Sequence, residues 1–272
     1  MQILSDFELH RPTTVEDAVR LRGELGDSAT FYAGGTELLL AMKMGVLDYE
    51  HLVDVKRIES LRGIDASDGE LRIGATMTHR EIELSPVVAD RVPALADLAR
   101  HVANVRVRAA GTLAGNLAFG EPHADPAALL TALGASVDLV GANGRRRVAL
   151  DDFIVGPYET SLAEDELIEA VVVPLPDADV RAAYLKFQVL ERPTVGVAAV
   201  ARDGGSLTVV VGAVDGRPVR IEATGDVENF VEAAREAVDP VDDLSGSAEY
   251  KRHLTGVMVR RTLEVLAGAG AA

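Results

Sequence analysis

Between an apolar run ending at Phe31 and an amphipathic run beginning at Leu38, the chain reads Tyr32-Ala33-Gly34-Gly35-Thr36-Glu37. A glycine pair at such a junction lets the backbone turn through positive φ and brings its N–H groups close to a bound anion. The helix beyond aims its positive end at the same spot. Strand, tight turn and helix open an α/β layer and make a phosphate cradle, although the same unit also serves as a plain connection.

The surrounding pattern extends this layer. Thr13-Thr14-Val15-Glu16 reads as a capping box and starts a helix through Ala18, Leu21 and Leu25, closed by Gly26. Ala29 to Tyr32 and His51 to Val55 read as strands on either side of the glycine turn and its helix. Leu61 to Ile64 and Glu70 to Ala75 read as a strand pair joined through Ser67-Asp68-Gly69. Thr78 caps a short helix before Pro86, and the apolar spacing at 95, 98, 99 and 102 predicts a helix over 93–102. Asp125-Pro126 starts a further helix, with Asp125 as N-cap, ending at Gly134. Asn143-Gly144 marks a hairpin whose Arg145 to Arg147 form a solvated strand edge, and Glu166 to Val173 is one more strand.

Pro174-Leu175-Pro176-Asp177 ends this pattern and sets a domain boundary, giving domains 1–176 and 177–272. Beyond it, β-rich runs at 184–190, 195–202, 207–214 and 218–222 are separated by Asp203-Gly204-Gly205 and Asp215-Gly216. Helices at 227–238 and 248–266 follow. The expected fold class is therefore α/β followed by α+β: an antiparallel meander with helices on one side.

Composition narrows the function. A net charge of −16 opposes the positive footprint of a nucleic-acid binder. Cysteine is absent, which rules out thiolate metal and iron–sulfur ligation by this chain. No window reaches the run of about 18 apolar residues that a membrane span needs, and the first residues lack a secretory pattern, so a cytoplasmic location is expected. GxGxxG after a strand, GxxxxGK[ST] and GxSxG are missing. The histidines at 10, 51, 79, 101, 123 and 253 fit no metal spacing, and a His79–Glu83 pair is expected to face solvent.

A second small-residue stretch, Gly111-Thr112-Leu113-Ala114-Gly115-Asn116, stands about eighty residues after the first. Two such turns could hold the two phosphates of one dinucleotide, or be unrelated connections, and spacing alone leaves both readings open. Glu121-Pro122-His123-Ala124-Asp125 follows directly, with carboxylates able to accept hydrogen bonds from ligand hydroxyls.

These residues, with Phe7 to Pro12, Leu52-Val53-Asp54-Val55, Ile73-Gly74-Ala75, Val105 to Asn116 and Leu244 to Arg261, resemble the FAD-binding medium subunit of the molybdenum hydroxylases. That is the group of carbon monoxide dehydrogenase and xanthine dehydrogenase. The resemblance implies a two-lobed FAD-binding domain of the PCMH type, with lobes at about 1–57 and 58–176, and a C-terminal domain of the carbon monoxide dehydrogenase flavoprotein type. It assigns Tyr32, Ala33, Gly34, Gly35, Thr36 and Glu37 to a first cofactor loop, and Thr112, Ala114, Gly115 and Asn116 to a second. It further assigns Asp125 to the flavin chain, Lys186 to the flavin edge and Leu167 or Ile168 to an aliphatic contact with the ring.

By the same resemblance, a [2Fe–2S] small subunit and a molybdopterin large subunit are partners in a dimer of heterotrimers. Electrons pass through FAD to an external acceptor, and no side chain of this chain acts as nucleophile, general base or metal ligand. Ala114 replaces the family's usual glycine, which requires negative φ there, and 188–194 lacks the family's Arg-Arg-x-x-Asp pattern. Glu37 is expected to point to a hydroxyl, a backbone donor or a base. The alternatives are a stand-alone FAD-dependent reductase of the same fold, similar to the UDP-N-acetylenolpyruvoylglucosamine reductases, and a non-catalytic scaffold.

Overall fold

Three short strands, β1 (Glu8–His10), β2 (Ala29–Tyr32) and β3 (His51–Asp54), form a parallel sheet in the order β1-β3-β2. The computed structural model that shows this describes residues 4–175, 180–189, 191–202 and 205–268. The helix Val15–Leu25 links β1 to β2, and its cap falls on Thr14, whose hydroxyl accepts from the Asp17 N–H. That is one residue later than the sequence reading. Because the strands run parallel, the ends of β2 and β3 share one edge, and the first glycine turn leaves from it.

The second sheet is antiparallel, in the order β4-β5-β10-β6-β7, formed by β4 (Ile64–Ser67), β5 (Glu70–Gly74), β6 (Ser136–Gly141), β7 (Gly144–Ala149) and β10 (Leu167–Pro174). A small pair, β8 (Ile154–Gly156) and β9 (Glu159–Thr160), lies between. The β4 strand begins at Ile64, and Glu59–Leu61 is a 3-10 turn rather than the expected strand start. Leu61 is fully buried there, which accounts for the apolar signal. At the sheet edge, Arg145, Arg146 and Arg147 are exposed and paired with Glu169, Glu166 and Asp138.

Six helices fill the connection from β5 to β6, from His79–Leu84 to Asp125–Leu133. The small-residue stretch near 111 is no open loop: Val105–Ala110 and Leu113–Phe119 are both helical, and only Gly111-Thr112 separates them.

The third sheet is an antiparallel meander of β11 (Arg181–Phe187), β12 (Val195–Arg202), β13 (Ser206–Gly212) and β14 (Val219–Ile221). The expected boundary at Pro176-Asp177, the turn at Asp203-Gly204 and Leu190 lie outside the described residues. Helices Val227–Ala237 and Ala248–Gly268 cover one face, packing on Val195, Val197, Val209 and Val211. The other face is covered too, correcting the expectation of helices on one side. Ala198, Val200 and Val210 belong to the core of the preceding sheets, and the helix Asp125–Leu133, buried along all of its length, packs on β12 and β13. An unbroken apolar strand such as β12 is what two covered faces require. Among the described residues, no helix is long and apolar enough to cross a membrane.

Candidate functional site

The first glycine turn is shaped by its neighbours. Gly35 has φ +69°, and a Cβ there would lie 2.4 Å from the Tyr32 ring, so both backbone and space demand glycine. Lys56 secures the turn: its ammonium lies 3.6 Å from the Tyr32 ring centroid, donates to the Ala33 carbonyl at 3.0 Å and pairs with Asp54 at 2.9 Å. The helix that follows, Leu38–Lys43, has only six residues and no side-chain cap.

The second turn is built against the first. A Cβ on Gly34 would lie 2.3 Å from the Ala110 carbonyl oxygen and 2.7 Å from the Gly111 Cα. A Cβ on Gly111 would lie 3.1 Å from the Thr36 hydroxyl. Two glycine-bearing turns far apart in sequence therefore touch backbone to backbone. The second is also pinned from below: the His79 N–H donates to the Gly111 carbonyl at 3.0 Å, and the Leu113 N–H to the Met77 carbonyl at 3.2 Å.

Thr112 is buried, and its hydroxyl accepts from the Gly115 N–H at 3.0 Å, capping Leu113–Phe119. Its remaining O–H is free to donate. Ala114 sits inside that helix, where φ is negative, so alanine is tolerated in place of glycine. Asn116 lies two residues further, and its side-chain carbonyl oxygen is buried without a hydrogen-bond partner among the described residues.

His79 departs from the sequence reading. It is 3% exposed, and Glu83, its side chain 8% exposed, takes Arg80 at 2.6 Å and Arg108 at 3.4 Å. The pair is internal, not solvent-facing, because the helix Val105–Ala110 folds back and brings Arg108 over it. Burial, helped by the Arg108 charge, lowers the His79 imidazole to a pKa of about 4, so it is neutral beside the second turn.

Glu37 turns to Arg192, which donates to it at 2.9 Å and also holds Glu121. Glu121 is buried, accepts from the Tyr158 hydroxyl at 2.9 Å and meets His123 Nδ1 at 3.1 Å. Segment 191–194 thus reaches back to the first turn, and Glu37 has the basic partner that its position demanded. Arg192 carried no local signal in the sequence, since its partners lie 155 and 71 positions away.

Asp125 and Lys186, which the resemblance assigned separately to the flavin chain and the flavin edge, come together, with Nζ 3.0 Å from the carboxylate. Tyr184 donates to the same group at 2.9 Å, and Lys186 also donates to the His101 carbonyl at 2.7 Å. Asp125 is not the N-cap. Ala124 holds that position without a side-chain bond, and Asp125 is the first helical residue, its carboxylate already engaged by β11. Burial raises the Asp125 pKa, against the opposing pull of Lys186 and Tyr184.

Leu167 is 5% exposed and pairs with Val140 at the start of β10, with Ile168 beside it in the same core. That strand packs against Leu113–Phe119, which places Leu167 in the structure supporting the second turn.

The arrangement fits an extended dinucleotide. Glycine is demanded where the two turns approach, and Asn116 offers a buried polar atom without a partner among the described residues. The comparisons agree with this geometry. Residues 5–176 match the family described as the FAD binding domain in molybdopterin dehydrogenase. The carbon monoxide dehydrogenase medium chain of Hydrogenophaga pseudoflava is 37% identical, over 94% of this chain and 96% of that one. The xanthine dehydrogenase FAD-binding subunit of Escherichia coli O157:H7 is 30% identical, over 96% of both. A solved structure of the Hydrogenophaga pseudoflava carbon monoxide dehydrogenase lacking the Mo-pyranopterin moiety superposes with a TM-score of 0.95 at 36% identity, covering 98% of this chain and 99% of that one. The chain therefore belongs to the family of FAD-binding domains of molybdopterin dehydrogenases, an oxidoreductase flavoprotein whose cofactor is FAD.

Proposed function

We propose that this chain is the electron-transfer flavin subunit of a cytoplasmic three-subunit molybdenum hydroxylase, receiving electrons from a [2Fe–2S] subunit and delivering them to an external acceptor. A molybdopterin large subunit would oxidise the substrate, and two such heterotrimers would pair. Residues 1–176, with lobes at about 1–57 and 58–176, would hold FAD, and 177–272 would close over it. The carrying observation is the contact of Gly34 with Ala110 and Gly111, which joins the two turns into one cradle.

Bound FAD supplies the redox chemistry, and the protein's part is to bind, orient and tune it. Ala33, Gly34, Gly35 and Thr36 would face the pyrophosphate with backbone N–H groups, joined by Thr112, Ala114, Gly115 and Asn116 from the other side. Asp125, braced by Lys186 and Tyr184, would accept from chain hydroxyls. Arg192 offsets the Glu37 charge, so that carboxylate would not meet the diphosphate uncompensated. The absence of cysteine fits a chain that contributes only the flavin to the relay.

The test is the visible spectrum of the full chain, alone and with its co-purifying partners. Stoichiometric flavin, lost when Gly35 is replaced by valine in a chain that keeps its circular dichroism, supports the cradle. Full flavin occupancy in that variant refutes it. Co-purification of a large molybdopterin-containing subunit and a small cysteine-rich one supports the assembly. Substrate turnover by the isolated chain refutes the relay reading in favour of a stand-alone reductase.

A further inference from the structure

Sequence spacing keeps the six histidines apart, but the parallel pairing of β1 with β3 brings two of them together. The register sets Glu8 opposite His51 and His10 opposite Val53. Side chains alternate along a strand, so Glu8 and His10, two residues apart, share a face of β1, and His51 shares that face as the register partner of Glu8. His10 Nε2 consequently lies 3.2 Å from His51 Nδ1, and the Glu8 carboxylate oxygens lie 3.9 Å from His10 Nδ1 and 3.8 Å from His51 Nδ1. One donor atom from each residue lies within 4.8 Å of the other two. The imidazole side chains are 18% and 22% exposed, whereas the Glu8 side chain is 69% exposed.

We propose that Glu8, His10 and His51 form a binding site for a divalent transition-metal ion of the zinc class at the edge of the parallel sheet. Tetrahedral zinc with bonds of about 2.05 Å to nitrogen sets its ligand atoms about 3.3 Å apart, and the two ring nitrogens already stand at that separation. The carboxylate, 3.8 Å from His51 Nδ1 and on the Nδ1 side of His10, closes the rest of the gap by rotating an exposed side chain. Two neutral imidazoles at 3.2 Å can share only one proton between them, whereas a cation in that place uses a lone pair from each. Two imidazoles and a carboxylate suit zinc, nickel or copper(II). They disfavour magnesium and calcium, which want oxygen, and copper(I), which wants sulfur.

The site is separate from the cofactor cradle. His51 pairs with Ala29 at one end of β2, and the glycine turn leaves from the other end, where Tyr32 pairs with Asp54. Three residues at about 3.3 Å each separate them along the strand. The ion would act structurally, clamping the three-residue edge strand β1 onto β3, and flavin binding provides an independent readout.

The full chain, stripped with a chelator, is titrated with zinc chloride and, separately, with cobalt(II) chloride. The expected result is one zinc per chain, a raised melting temperature and the visible d–d bands of tetrahedral cobalt. Each of His10→Gln and His51→Gln weakens uptake by about tenfold or more, with flavin content unchanged, while His253→Gln, at an exposed position on the last helix, leaves uptake as it was. Glu8→Gln, on an exposed side chain that cannot threaten folding, lowers affinity in the same direction. Failure of the unmodified chain to take up stoichiometric zinc at micromolar concentration overturns the proposal. Uptake that survives intact in the His10→Gln/His51→Gln double variant, or in Glu8→Gln, overturns it equally.

Discussion

Replacing Gly34 with alanine adds one methyl group at the point where the two halves of the cradle meet. Its φ lies outside the left-handed region, so alanine brings no backbone strain and the whole effect is steric. The new carbon would stand 2.3 Å from the Ala110 carbonyl oxygen, 2.7 Å from the Gly111 Cα and 2.9 Å from the Ala110 carbonyl carbon. All three are backbone atoms, pinned by the Gly111 N–H to the Val107 carbonyl at 2.7 Å and by the His79 N–H to the Gly111 carbonyl at 3.0 Å, so no rotamer change relieves them.

Ordinary contact begins at 3.4 Å, so the turns must part by about 1 Å, a degree of overpacking that costs about 1–3 kcal/mol. At about 2 kcal/mol, the FAD-bound chain loses about 4–8 °C in melting temperature. Without cofactor the turns can relax apart, whereas a dinucleotide spanning both holds them together. The strain therefore falls on binding, and FAD affinity drops roughly 30-fold. Thermal unfolding with and without FAD, with a flavin titration, measures both effects. Gly23→Ala is the matched control, since a Cβ in that exposed helix meets nothing within 4 Å, and it should stabilise by about 0.5–1 kcal/mol. A Gly34→Ala protein with wild-type melting temperature and flavin affinity would refute the account of the cradle.

The buried His79, with its pKa lowered from 6.5 to about 4, is neutral when folded and binds a proton more readily when unfolded. Its contribution is present above pH 6.5 and lost as pH falls toward 4, amounting to about 3 kcal/mol. Urea midpoints at pH 7 and pH 4.5 should therefore differ less in His79→Gln than in the wild type. Asp125→Asn leaves Lys186 without its buried partner and should cost about 3 kcal/mol together with most flavin binding; denaturant unfolding and flavin content check both. Thr112→Ala removes the cap of Leu113–Phe119 and should cost about 1 kcal/mol in the same assay. Arg192→Ala strips Glu37 and the buried Glu121 of their cation and should cost about 1–2 kcal/mol, with weaker FAD binding in the titration because Glu37 is then free to repel the diphosphate.

What the sequence made legible was local. Gly34, Gly35 and the Thr78 cap announce themselves because their geometry depends on a few neighbours, and the hairpins of the last sheet are marked by their turn residues. What it hid was long-range. The strand Glu8–His10 is too short and too polar to show a β pattern, and only its pairing with His51–Asp54 makes it a strand. Leu61 is an apolar residue buried in a turn, and in sequence it is indistinguishable from the start of the strand that begins three residues later. Asp125 has the residue type and the following proline of an N-cap, yet Tyr184 and Lys186, about sixty residues on, take its carboxylate instead. His79 and Glu83 look solvated until Arg108 is folded over them. The need of Glu37 for a counter-charge could be argued from the first turn alone, but the identity of Arg192 could not.

The helix Asp125–Leu133 belongs by sequence to the flavin-binding half, yet it lines the inner face of the β11–β14 sheet. A break near residue 176 therefore does not yield two self-sufficient pieces. A fragment starting at 177 would expose Ala198, Val200 and Val210 to water and lack the element that buries them. Chimeras that exchange C-terminal portions between relatives would have to carry matching versions of this helix and of the strands β12 and β13. The seam along which such proteins can be recombined thus runs through their shared interior, beside the carboxylate of Asp125, and does not follow the sequence break near residue 176.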